Sequence, residues 1–137
     1  MDQEAFKSRT KQLALRVIRL VEALPHSQTA TVIGRQLLRS ATFVGANYRA
    51  ACRGKSTPDL IAKLGIVLEE ADECLYWMEL LVEASLVPQE KLAGLMSETN
   101  EIVAMTVASI KTLRERSKKL QILDCRLMML LLFQSSI

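Results

Sequence analysis

Three prolines, Pro25, Pro58 and Pro88, constrain this chain more than any other feature. Proline lacks a backbone N–H and clashes with the preceding turn, so a helix excludes it from the interior and accepts it at the start. The three positions cut the sequence into four stretches. Each stretch carries apolar residues at the three- and four-residue spacing of a helical stripe. The first stripe is Phe6, Leu13, Val17, Leu20, Val21 and Leu24, and the second is Ile33, Leu37, Ala41, Val44, Tyr48 and Ala51. The third is Leu60, Leu64, Val67, Ala71, Leu75, Met78 and Val82. The fourth is Leu92, Leu95, Thr99, Ile102, Val103, Thr106, Ile110 and Leu113. Local signals agree. Ser56-Thr57-Pro58-Asp59 offers a hydroxyl N-cap, a proline and an acid suited to the positive end of the helix dipole. Gly54 is a candidate stop for the second helix. No stretch alternates with period two for long enough to form a strand. The spacing predicts an all-α fold, an antiparallel up-and-down four-helix bundle with short loops.

One domain accounts for 137 residues, and half of them are apolar, enough for a substantial core. Five glycines and three prolines are too few for the many turns of a sandwich or barrel. The bundle is assigned to residues 1–120. Residues 121–137 form a C-terminal tail, either a helical extension of the fourth helix or a poorly ordered segment. Its run LMMLLLF at 127–133 has seven apolar residues where a membrane span needs about 20, so no membrane partner is expected. Cys52, Cys74 and Cys125 are odd in number and far apart, which fits neither a disulfide framework nor a metal pair. No apolar signal-peptide segment follows Met1, and a reducing, cytoplasmic location is expected.

The net charge of +3 hides a segregation. Residues 1–55 hold ten Lys and Arg against three acids, residues 56–110 hold two against ten, and residues 111–137 hold six against two. This asymmetry points to an anionic partner for the basic parts or to basic and acidic faces that complement each other.

At about 100° per residue, Arg35, Arg39, Arg49 and Arg53 share the side of the second helix opposite Ile33, Val44 and Ala51. On the third helix Glu69, Asp72, Glu73, Glu79 and Glu83 lie opposite Leu60, Val67 and Met78. Tyr76 and Leu80 fall among these acids, Trp77 and Ile66 at their edge, and Phe43 beside the arginines. Either these are solvated faces, or basic and acidic faces of different copies meet around the aromatics in a heterologous interface. The second reading makes Arg35, Arg39, Phe43, Arg49, Arg53, Glu69, Glu73, Tyr76, Trp77, Leu80 and Glu83 the expected subunit contacts. Arginine also suits phosphate, and Lys11, Arg19, Lys111 and Arg114 of the first and fourth helices are the expected nucleic-acid contacts.

Most bundle chemistry fails on composition. A di-iron site needs Glu-x-x-His on two helices, and the one histidine, His26, lies in a predicted loop. The same shortage removes Ser/His/Asp and Cys/His catalysis. Glu69 and Glu73 point outward and Glu70 lies well round the helix, so Glu69, Glu70, Asp72 and Glu73 build no inward metal cage. The isolated glycines form no phosphate loop, and Cys52 and Cys74 read as small buried hydrophobes. No enzyme, cofactor or metal is expected. Ser40 and Asn47 border the second stripe, where they either hydrogen-bond across helices or back to their own backbone, or touch a partner.

The runs LLRSATFVGANYRAACRGKS (37–56) and KLGIVLEEADECLYWMELL (63–81) resemble the bacterial 23S rRNA-intervening sequence proteins, with likeness over about residues 5–118. The resemblance implies an up-and-down bundle assembled as a ring-shaped homopentamer. It also implies kinship with the accessory variability protein of diversity-generating retroelements, a basic pentamer associated with nucleic acid. One departure stands out. The family pattern after the matching asparagine is apolar, Ala, Glu, Gly, whereas Asn47 is followed by Tyr48-Arg49-Ala50-Ala51. No role tied to that glutamate carries over. The residues and the resemblance together predict a non-catalytic homo-oligomer, five subunits by resemblance, that binds RNA or DNA. A protein-interaction adaptor without a nucleic-acid role is the alternative.

Overall fold

The computed structural model describes residues 2–135. They form α1 (Gln3–Glu22), α2 (Gln28–Cys52), α3 (Thr57–Glu83) and α4 (Gln89–Ser135), with no strand among the described residues. All three prolines stand at boundaries, Pro25 in the α1–α2 loop, Pro58 in the first turn of α3 and Pro88 just before α4. Asp2, Ser27 and Ser56 cap α1, α2 and α3, their side-chain oxygens accepting the N–H of Glu4, Ala30 and Asp59 at 3.1, 3.1 and 3.2 Å.

The helix ends differ from the sequence reading in one respect. Gly54 does follow the C-cap of α2, but its backbone is not left-handed. A Cβ there would lie 2.7 Å from Asp59 Oδ2 and 3.0 Å from the Ala51 carbonyl, so close approach keeps this position a glycine. The left-handed residue is Ser85, with φ 59°. Its N–H donates to the Val82 carbonyl at 3.0 Å and that of Leu86 to the Leu81 carbonyl at 2.9 Å, which closes α3 in a Schellman turn.

Packing is extensive between α2 and α3, α3 and α4, and α1 and α2, and light between α1 and α4. Neighbours run in opposite senses. Gly45 approaches Thr10 and Gly34 approaches Leu24, while Arg9 meets Glu98 and Arg16 lies beside Gly94. Leu13, Val17, Leu37, Val44, Val67, Met78, Leu81 and Ile102 are fully buried, and the Phe6 ring meets Tyr48 edge-on with centroids 4.6 Å apart. Thr99 and Thr106 sit in the core because each hydroxyl donates to a carbonyl one turn back, Leu95 and Ile102, both at 2.7 Å.

α4 outgrows its partners. Its 47 residues span about 70 Å, against about 38 Å for the 25 residues of α2. Leu113 is the last residue packed on the core, and α4 continues through the 121–135 stretch as a projecting, exposed helix. Among the described residues no helix is long and apolar enough to cross a membrane.

Candidate functional site

The outer faces of α2 and α3 lie side by side and carry the two charge classes. Arg35, Arg39, Arg49 and Arg53 are exposed along α2; Glu69, Asp72, Glu79 and Glu83 are exposed on α3, and Glu73 is half-buried. None of these enters an ion pair, since the salt bridges of the described residues join Lys7 to Glu4, Arg9 to Glu98 and Glu101, and Lys63 to Asp59. Phe43, Ile66 and Tyr76 are uncovered among the charges, between 41% and 54% exposed. The Arg39 guanidinium lies 4.9 Å from the centre of the Phe43 ring.

Two expected contact residues are not outward. Trp77 and Leu80 are half-buried and pack against the core. Trp77 lies about 20° beyond Glu70 on the helix, at the margin of the buried arc. Its ring still meets Tyr76 edge-on at 5.0 Å, and its indole N–H is buried without an acceptor.

The same margin holds a residue that the sequence sets well round the helix from the outward acids. Glu70 is buried, 9% exposed, beside Arg39 and Ser40 of α2, and neither Glu70 Oε2 nor Ser40 Oγ has a hydrogen-bond partner. Burial pushes the Glu70 carboxyl above the usual carboxylate range, Glu73 adds to the shift, and Arg39 and the nearby Ser40 hydroxyl oppose it. Ser40, fully buried beside Glu70, does not bond back to its own backbone, which was one of its expected roles. Asn47 does: its Nδ2 donates to the Phe43 carbonyl at 2.8 Å.

The expected phosphate contacts do not form one patch. Lys11, Arg19, Lys111 and Arg114 are all exposed. Because Arg16 lies beside Gly94, Arg19 is level with the start of α4, and Arg114 is roughly 35 Å further along. Between them Arg9 Nε donates to Glu98 Oε1 at 2.8 Å and Arg9 Nη2 to Glu101 Oε2 at 2.9 Å, which neutralises the middle of the α1–α4 seam. The hydrogen bond from Arg9 holds the Glu98 carboxyl below its usual range.

Cations gather instead where α4 leaves the bundle. A cleft of about 890 Å³ opens there, lined by Tyr48, Cys52, Lys55, Leu60, Leu64, Met105 and Arg116 among others. Lys111, Arg114, Lys118 and Lys119 follow on the exposed surface of α4, and Arg53 ends α2 nearby. Lys55 and Arg116 escaped sequence reasoning because they share a site only once the helices are assembled. The run KTLRERSKK at 111–119 was the available signal.

Reactive chemistry is not assembled in these places. Burial, with Glu70 and Glu73 nearby, pushes the Cys74 thiol up to about 12, so it is neutral at physiological pH. Burial, with Cys52 nearby, likewise raises the Tyr48 phenol. Among the described residues no group of His, Cys, Asp and Glu is arranged to hold a metal ion.

Comparison with known proteins agrees with the fold. The family model for the 23S rRNA-intervening sequence protein matches residues 3–108. The chain is similar to a crystal structure of a protein of unknown function from the S23 ribosomal protein family of Bacteroides thetaiotaomicron. The two share 34% identity and a TM-score of 0.76 over 81% of this chain and 99% of the other. No curated protein matches the chain. A matched span of residues 3–108, on a four-helix frame shared with a relative 34% identical, places the chain in the 23S rRNA-intervening sequence protein family.

Proposed function

We propose that the protein is a non-catalytic bundle that assembles with copies of itself through the outer faces of α2 and α3, and that it holds RNA or DNA phosphates on the cations this assembly leaves uncovered. One observation carries the reading. On a single surface, Phe43, Ile66 and Tyr76 stand uncovered among unpaired charges of both signs, above a buried Glu70 whose Oε2 has no donor. Exposed charges alone are ordinary, but clustered bulky apolar residues and an orphaned buried carboxylate oxygen call for a partner. A second copy supplies both an apolar surface and arginine donors. Contact between the arginine side of one copy and the acidic side of the next is heterologous and closes into a ring when the rotation allows. Five is the number of copies that the family resemblance implies.

The nucleic-acid part rests on the cations around the cleft and on the exposed start of the α4 projection. Phosphate binding releases counterions, so affinity falls steeply with salt. A salt titration of RNA binding on Lys55→Glu/Arg116→Glu, Lys11→Glu/Arg19→Glu and Arg39→Glu/Arg53→Glu separates the sites. The first pair should weaken binding and flatten the salt slope with the oligomer intact. The third pair should shift the oligomer. Salt-independent binding, or none at low salt with assembly preserved, overturns the nucleic-acid role and leaves the adaptor reading.

A further inference from the structure

The projecting part of α4 repeats the geometry of its packed part. Leu92, Thr99, Thr106, Leu113, Leu120 and Leu127 recur every seventh residue along one line. The first three are buried in the bundle, Leu113 is half-buried, and Leu120 and Leu127 are exposed. Three residues on from the last two stand Leu123 and Leu130. This is the alternate three-and-four spacing of a coiled-coil seam, with leucine at all four positions of the last two repeats.

We propose that residues 119–131 of α4 form a parallel coiled seam with the same segment of another copy. Nothing in the described chain covers the four leucines, which are 57–62% exposed. Nine Leu, Ile and Met side chains between 120 and 132 are more than half exposed. At that exposure they present on the order of 1,000 Å² of apolar surface, beyond the roughly 300–600 Å² of a typical monomer's largest patch. Two tails each covering half of it remove about 1,000 Å² in total, near the lower bound for a specific interface. A helix with no tertiary packing is also marginal in water, so a projection of this length needs a partner to persist.

Charge selects the direction. With Leu120 and Leu127 on the first seam position, Lys119 and Asp124 flank the seam five residues apart. In a parallel, in-register pair each Lys119 faces the partner's Asp124, on both sides of the seam. An antiparallel pair brings like charges together instead. Arg116, on the seam line just before Leu120, marks where the tails part toward their bundles. This seam does not depend on the α2–α3 interface, and in a ring it would join tails that leave on one side.

Cysteine cross-linking in the full chain tests this seam. Cys125 is exposed and lies on the back of the helix relative to the seam, so it serves as the native control. Under mild oxidation, Leu123→Cys/Cys125→Ser is expected to form a covalent dimer, because parallel seam positions meet the disulfide distance. The unmodified chain is expected not to. Adding Leu120→Glu/Leu127→Glu should abolish the cross-link. Lys119→Asp or Asp124→Lys alone should reduce it, and the two together should restore it. Equal cross-linking through Cys125 means unspecific aggregation and overturns the proposal. So does an absence of cross-linking in the Leu123→Cys/Cys125→Ser variant, whether the tails stay single or sediment with lipid vesicles.

Discussion

Glu70 of α3 lies beside Ser40 of α2 across the most extensively packed seam of the bundle, and both keep a buried polar oxygen without a hydrogen-bond partner. A buried unsatisfied polar group costs about 1–3 kcal/mol. Glu70 is thus a weak point of the isolated subunit and an attractive point for a guanidinium from outside.

Glu70→Gln should therefore act in opposite directions on fold and assembly. Burial raises the folded-state affinity of Glu70 for its proton. Its contribution is fully present below about pH 4.3, the unfolded value, and is lost as pH rises through the raised folded value. Glu70→Gln should remove this loss and stabilise the dissociated chain at pH 7 by about 1 kcal/mol. Chemical denaturation at low and neutral pH checks the fold. Light scattering of the same variant should show weaker association.

Arg9→Met should change the opposite limb of the pH profile. Glu98 is held below its usual range by Arg9, so its contribution is present above about pH 4.3 and is lost as pH falls through the lowered folded value. The pair is partly exposed, so the expected cost at pH 7 is about 1 kcal/mol or less. Thermal unfolding from pH 7 to pH 3 should fall less steeply in the variant than in the parent.

Ser85→Gly should stabilise the chain by about 1 kcal/mol, because it removes a Cβ from a left-handed position. Gly54→Ala should do the reverse, since its Cβ would crowd the Ala51 carbonyl at 3.0 Å and displace the Asp59 carboxylate. Denaturant midpoints of the two variants moving in opposite directions would confirm both assignments.

Gly65 separates a free face from a covered one. It lies within about 20° of Tyr76 on the helix, and a Cβ there would meet nothing within 4 Å. In an isolated subunit Gly65→Ala should gain about 1 kcal/mol of helix propensity. Gly65→Trp should leave helicity intact and reduce association, measured by circular dichroism and sedimentation velocity.

The fold was legible because its determinants are local. Prolines at the three breaks, a hydroxyl before the third helix and four apolar stripes are all read within a few residues. The margins of the stripes were not. Glu70 and Trp77 lie at angles where burial depends on how far a neighbouring helix wraps round, and Leu80 is half-buried although about 160° from Met78; a wheel of one helix carries no such information. Lys55 and Arg116 stand far apart in sequence and line one cleft because α4 continues past the end of α2 and the start of α3. Ser40 looked like a side chain that could satisfy itself, as Thr99 does, yet it lies beside Glu70 at the α2–α3 seam and makes no such bond.

Native mass spectrometry of the parent and of Phe43→Glu/Tyr76→Glu, at micromolar concentration with helicity monitored in parallel, tests self-association through the α2–α3 face most directly. Both side chains point away from the core, so the variant should keep its helix content. The parent is predicted to form a discrete oligomer, with five chains as the expected mass, and the variant to fall to smaller species. A monomeric parent, or a variant that assembles as the parent does, would contradict the account.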